Sequence, residues 1–107
     1  MSYDLNLTGR GELDLALAYA ALDADGDSDE VDWLRDALTA QFLLTPEEID
    51  VGIVSDEAAQ ADRARDFEEL LRFVLNLAHR LDADVYDPQL GRNLCPDDIA
   101  EAVRGFA

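Results

Sequence analysis

Apolar and polar residues alternate at the start of the chain, from residue 3 to residue 8. Tyr3, Leu5 and Leu7 therefore share one face, which predicts a half-buried β-strand. Gly9 interrupts the alternation, and from Glu12 to Leu22 the apolar residues follow the spacing of a helix. The first part of the chain thus predicts a strand followed by a helix.

Residues 23–44 predict an acidic turn and then a second helix. Residues 23–30 read Asp-Ala-Asp-Gly-Asp-Ser-Asp-Glu, and the Asp29 carboxylate is well placed to cap a helix that begins near Glu30. This helix is predicted to run to Leu43. Trp33 lies beside its apolar stripe, which consists of Val31, Leu34, Leu38 and Phe42.

The middle of the chain predicts a short turn, a strand and a long helix. Thr45-Pro46-Glu47-Glu48 has the pattern of a capping box with proline at the first helical position. Residues 49–54 alternate and are rich in β-branched side chains, which favours a strand. Ser55-Asp56-Glu57 predicts the cap of a helix that ends at Leu81. Its apolar stripe is the clearest signal in the sequence and comprises Phe67, Leu70, Leu71, Val74, Leu77, Ala78 and Leu81.

The last quarter predicts a short strand over residues 83–86, ended by Asp87-Pro88. Residues 90–94 turn the chain back towards that strand, and Pro96 opens a final helix that reaches Phe106. This order of elements predicts an α+β fold in which a sheet of about three or four strands is covered on one face by about four helices. A length of 107 residues is that of one domain, spanning residues 1–107.

The composition is strongly acidic. There are 25 acidic and 8 basic residues, so the formal net charge is −17, and every basic residue is arginine. Such a charge repels nucleic acid and anionic membrane and attracts basic proteins. Two interpretations remain open: a bias shared by the whole proteome of the source, or a dedicated acidic surface that binds a basic partner.

The location predicted from the sequence is the cytoplasm. Cys95 is the single cysteine, which excludes a disulfide within the chain and fits a reducing compartment. No apolar run approaches the roughly 20 residues of a membrane-spanning helix, and the start of the sequence lacks the features of a signal peptide.

The acidic turn is the best candidate for a metal site, because aspartates at alternate positions resemble a calcium-binding loop. A calcium loop of the EF-hand type needs glycine at its sixth position and glutamate at its twelfth. Counted from Asp23 these positions hold Ser28 and Leu34, and counted from Asp25 they hold Glu30 and Asp36. Neither register fits, so no metal or other cofactor is assigned. A calcium-binding module that uses residues 23–36 is kept as an alternative.

No catalytic apparatus is recognisable in the sequence, and the chain is predicted not to be an enzyme. Asp82, Asp84 and Asp87 form a second acidic group without the further ligands that metal-assisted catalysis needs. His79 is the single histidine, and Cys95 would need it as a base in order to act as a nucleophile. A pocket that joins His79, Cys95 or Asp84 would favour a small enzyme.

The surface of the acidic segment is the favoured candidate site. Carboxylates around an aromatic side chain suit a basic protein, because charge steers the encounter and the aromatic side chain anchors the complex. The alternative is that Trp33 packs in the core. The predicted partner-binding residues are Asp25, Asp27, Asp29, Asp32, Trp33 and Asp36.

Two segments resemble a loose group of small bacterial proteins. These proteins begin with a Tyr-Asp-Leu strand, here residues 3–5, and carry a Val-Tyr-Asp-Pro-Gln strand and turn after a long helix, here residues 85–89. Some members look like immunity proteins of polymorphic toxin systems. The resemblance covers a minor part of the chain and carries over no catalytic residues. It implies a non-enzymatic protein that neutralises a toxin by covering its basic surface. A nucleic-acid mimic that inhibits a DNA- or RNA-binding protein is the related alternative.

Overall fold

The computed structural model describes residues 2–55 and 60–106. Within these residues six strands form one antiparallel sheet in the order β2-β3-β4-β1-β5-β6. In chain order the elements are β1 (Ser2–Gly9), α1 (Leu15–Ala21), β2 (Glu30–Leu34), β3 (Leu38–Leu44), β4 (Ile49–Ser55), α2 (Gln60–Arg80), β5 (Ala83–Asp87), β6 (Arg92–Asn93) and α3 (Ile99–Phe106). A single 3₁₀ turn, Pro96–Asp98, leads into α3.

The α+β class is confirmed, whereas the predicted numbers of strands and helices are wrong. Residues 2–55 and 60–106 form six strands and three helices, where three or four strands and about four helices were predicted. The strands predicted at residues 3–8, 49–54 and 83–86 are present, and residues 92–93 pair back onto β5. The cap predicted at Asp56 and Glu57 lies outside the described residues.

The error in the count comes from residues 30–43, which form the hairpin β2–β3 and not a helix. Burial alternates strictly along β3: Leu38, Ala40, Phe42 and Leu44 are buried and the residues between them are exposed. The loop of this hairpin is closed by the Arg35 amide, which donates to the Leu38 carbonyl at 3.0 Å. Asp29, predicted as a helix cap, instead accepts from the Leu44 amide through its backbone carbonyl at 2.8 Å.

The turn predicted at Thr45–Glu48 forms, but it joins two strands. Thr45 Oγ1 accepts from the Glu48 amide at 3.1 Å, as the capping pattern predicted. The flanking strands β3 and β4 pair directly, with Leu44 opposite Ile49. A local cap therefore formed in a hairpin, because its hydrogen bond does not depend on a helix that follows it.

One face of the sheet packs on α2 and α3. The Tyr3 ring contacts Phe67 of α2 at a centroid distance of 5.0 Å and Phe106 of α3 at 6.0 Å, and Phe67 stacks on Phe106 at 4.0 Å. The stripe predicted for the long helix is buried in this core, except that Leu81, just past the helix, is half-buried. The side chains that alternate with the core residues of the strands lie on the opposite face, named here the open face.

Candidate functional site

The six residues predicted to bind a partner lie in separate places. Asp25, Asp27 and Asp29 are exposed in the loop between α1 and β2. Asp32 lies on the open face in the middle of β2, and Asp36 lies in the hairpin loop beyond the far end of this strand. A five-residue strand spans about 17 Å, so the two ends of the predicted patch are well separated.

Trp33 lies in the core, on the face of β2 opposite to Asp32. Its side chain is 8% exposed, and its ring centroid is 6.2 Å from that of Phe73 on α2. The Arg35 guanidinium covers the indole ring at 3.7 Å from the ring centroid. The indole is therefore a packing residue and does not project among the surface acids. In the predicted helix, Trp33 would lie at the edge of the apolar stripe. In a strand, successive side chains point to opposite faces, so Trp33 is buried while Asp32 and Leu34 are exposed.

The acidic loop is organised by contacts within itself and with α1. The Asp27 amide donates to Asp25 Oδ1 at 3.0 Å, and the Tyr19 hydroxyl donates to the Ser28 carbonyl at 2.7 Å. Asp23 and Gly26 have positive φ angles of 55° and 86°, which turn the chain sharply. Within residues 2–55 and 60–106, no three His, Cys, Asp or Glu side chains are arranged to hold a metal ion.

The second acidic group is divided between a surface and the core. Asp84 is exposed on the open face, whereas Asp87 is fully buried. Asp87 accepts hydrogen bonds from the Tyr3 hydroxyl, from the amides of Gln89 and Leu90 and from Gln89 Nε2. Burial raises the pKa of Tyr3 above the ordinary range of tyrosine, and the hydrogen bond to Asp87 adds to this shift. Asp87 thus connects the turn after β5 to the first strand.

His79, Asp84 and Cys95 line one open groove of about 360 Å³, at the end of α2 and beside β5. Its apolar walls include Leu75 and Leu94. This is the pocket that would favour a small enzyme. A thiol nucleophile needs a base within hydrogen-bonding distance, and in the described structure no hydrogen bond joins His79 to Cys95. The groove therefore brings the residues together without the contact that activates a thiol.

The open face of the sheet carries a group of acids that the sequence did not reveal. Cross-strand pairing places Asp32, Gln41, Gly52 and Asp4 in one row. The next row contains Glu30, Leu43, Asp50, Asn6 and Tyr86. With Asp84, the face presents five carboxylates, those of Asp4, Glu30, Asp32, Asp50 and Asp84.

In the described structure seven of the eight arginines lie outside this face, whereas Arg10 borders one end of it and lines a surface cavity together with Thr8 and Asp84. Four belong to α2, one to α3, and one follows β1 at position 10. The remaining two arginines, Arg35 after β2 and Arg92 in β6, point towards the helices. Arg35 donates to Glu69 of α2 at 2.9 Å, and Arg92 donates to Asp98 at 2.7 Å. None of the five carboxylates of the open face forms an ion pair with an arginine in the described structure.

Exposed apolar side chains are concentrated on the same face. Among the described residues the large hydrophobic side chains with substantial exposure are Leu34 (63%), Val54 (59%), Tyr86 (42%) and Leu43 (38%). Each of them occupies an outward position of its strand. The open face therefore combines negative charge with apolar contact area, the combination that the sequence had assigned to residues 25–36.

The sequence signal that could have identified this face is the alternation of inward and outward side chains, which has a period of two residues in a strand. Asp4, Asn6 and Thr8 are the outward positions of the first strand and were recognisable as such. Glu30, Asp32 and Leu34 become outward positions only if residues 30–34 are a strand, and the helical interpretation concealed this.

Comparison with protein-family models, curated proteins and solved structures finds no match for this chain. The resemblance to toxin-immunity proteins accordingly stays a prediction. In the part of the chain that the structure describes, no helix combines the length and apolarity needed to cross a membrane.

Proposed function

We propose that this chain is a non-enzymatic acidic binding protein that occludes a basic surface of a partner protein. The observation that supports the proposal is the separation of charge: five carboxylates lie on the open face, whereas seven of the eight arginines lie elsewhere and Arg10 lies at its border. A surface of one sign attracts a partner of the opposite sign, increases the association rate and selects against acidic partners.

The arrangement of the arginines argues against compositional bias as the whole explanation. A proteome-wide bias sets how many acidic residues a chain contains, but it does not direct the basic ones away from one face. Arg35 and Arg92 are bound to acids on the helical side of the sheet. The rows of Asp4 and Asp50 on this face therefore contain no arginine, while ion pairs form elsewhere.

Toxin immunity in the cytoplasm is the most concrete version of the proposed function. The carboxylates would take positions that phosphates occupy on a basic nuclease, and the complex would weaken as salt increases. Inhibition of a DNA- or RNA-binding protein by mimicry of nucleic acid uses the same mechanism. No observation favours the calcium-binding alternative, and calcium that raised the melting temperature when magnesium did not would support it.

The first experiment is affinity capture from lysate of the source at low salt, followed by elution in a salt gradient. We expect one basic protein to elute at moderate salt. Its toxicity when expressed alone, relieved by co-expression of this chain, would identify an immunity pair. A mixture of basic proteins without a specific partner would overturn the proposal.

A further inference from the structure

We infer that the open face of the sheet, and not the acidic loop, is the docking surface, and that its occupant is a basic protein surface that also carries apolar side chains. The inference rests on the proposed function and specifies which surface performs it. It depends on the positions of charged and apolar residues across the strands.

The apolar side chains lie in the two rows that flank the central one. Leu34 and Val54 share one flanking row, with Thr39 between them, and Leu43 and Tyr86 share the other. Four residues along a strand separate the two flanking rows, a distance of about 14 Å. Exposed apolar side chains therefore lie on both sides of the central row, which contains Asp32, Gln41, Gly52 and Asp4.

The central row carries two of the five carboxylates, those of Asp4 and Asp32, at its two ends. Three strand spacings separate them, about 14 Å, and their carboxylates take part in no hydrogen bond or ion pair in the described structure. The Asp4 backbone is held by Gln89, at 2.9 Å in both directions, so this end of the row is fixed while its carboxylate stays available.

The negative charge of this face favours a basic protein as its occupant. A second copy of the chain would bring five carboxylates against five, and nucleic acid or an anionic membrane would be repelled in the same way. A basic protein satisfies the carboxylates, and its apolar side chains cover Leu34 and Val54, which would otherwise remain in water. Six strands span about 24 Å, a width comparable to that of an interface that buries roughly 800 Å² on each partner.

The test compares three double variants that change the charge by the same amount in different places. The probe is a nine-residue peptide of Arg-Arg-Trp repeats, and binding to the full chain is measured by calorimetry and by amide chemical shifts. The variants are D4K/D32K on the open face, D27K/D29K in the acidic loop and E12K/D97K as the control on exposed positions elsewhere.

We expect D4K/D32K to weaken binding by about tenfold, and each of the other two variants by no more than about threefold. Amide shifts in wild type should be concentrated in β1 to β4. A larger loss in D27K/D29K would overturn the docking surface and leave the proposed function intact. Equal losses in all three variants, or no binding by wild type, would overturn the proposed function as well.

The apolar part is tested with L34S/V54S and a second peptide of Arg-Arg-Ser repeats. Wild type should bind the tryptophan peptide more tightly than the serine peptide, and the double variant should lose this preference while binding the serine peptide unchanged. Both side chains are more than half exposed, so their replacement leaves the core intact. An unchanged preference would overturn the apolar contribution. Concentration-dependent dimerisation of wild type that L34S/V54S abolishes would identify a second copy as the occupant and overturn the inference.

Discussion

Arg35 lies over the indole ring of Trp33, with the guanidinium carbon 3.7 Å from the ring centroid. The same side chain donates to Glu69 of α2 at 2.9 Å and to the Leu34 carbonyl at 2.8 Å. One arginine thus seals the buried tryptophan at the edge of the sheet and attaches the hairpin β2–β3 to the long helix. Arg35 therefore has a structural role on the helical side of the sheet, away from the open face.

Replacement of Arg35 by alanine should destabilise the fold by about 1–2 kcal/mol, since it removes a cation–π contact and a partly exposed ion pair. Urea unfolding measures the loss, and a red shift of the Trp33 fluorescence should accompany it. The control is R72A, which removes only the exposed pair with Glu68 on α2 and should change stability by less than about 0.5 kcal/mol. Equal effects of the two variants would contradict the role of Arg35.

The Asp66 carboxylate anchors the same hairpin from the interior. Asp66 is 3% exposed, and its Oδ2 accepts from the Ala37 amide at 2.9 Å. We expect D66A to cost about 1–3 kcal/mol, because it leaves a buried amide without an acceptor. D66N retains an oxygen acceptor and should cost less. If D66A were as stable as wild type in urea unfolding, the amide would have to be satisfied in another way.

The hydrogen bond between Tyr3 and Asp87 joins β1 to the turn after β5. The Y3F variant should lose about 1–3 kcal/mol, because a buried carboxylate loses one of its donors. Y86F is the matched control, since Tyr86 is exposed on the open face and its change should stay within about 0.5 kcal/mol. Thermal or urea unfolding of both variants tests the difference.

Alkaline pH should weaken the same contact. Burial raises the pKa of Tyr3, so the folded protein retains the phenol proton at pH values where the unfolded chain loses it. The resulting stabilisation is complete below the ordinary tyrosine pKa of about 10 and decreases as the pH rises above it. Unfolding measured from pH 9 upwards should therefore show a weaker pH dependence in Y3F than in Y86F. Identical slopes would contradict the raised pKa.

Acidic pH should destabilise the fold through protonation of Asp98, which directly precedes α3. The hydrogen bond from Arg92 holds the pKa of Asp98 below its usual range, and the Cys95 amide, which donates to Asp98 Oδ2 at 2.9 Å, contributes in the same direction. Its stabilising contribution is present above the ordinary aspartate pKa of about 3.9 and is lost as the pH falls through the lowered value. Melting temperatures below about pH 4 should decrease less steeply in D98N than in wild type or in the exposed control D97N.

The elements with one unambiguous period were predictable from the sequence. Tyr3, Leu5 and Leu7 alternate in a way that only a strand satisfies, and the stripe from Phe67 to Ala78 fits only a helix. Residues 30–43 satisfied both periods, because Leu38 and Phe42 are four positions apart and therefore also two strand repeats apart. The local pattern of apolar and polar residues therefore does not distinguish a strand from a helix in this segment.

The sequence by itself determined the α+β class, the excess of acidic residues, the long amphipathic helix and the cap at Thr45, since each depends on composition or on neighbours within a few positions. The tertiary structure decided that residues 30–43 are strands, because β3 gains paired neighbours on both sides there. It also decided that Trp33 is buried and that Asp4 and Asp32 share one row, although 28 positions separate them. Which residues share a face depends on the register between strands, and this register arises only when distant segments pair.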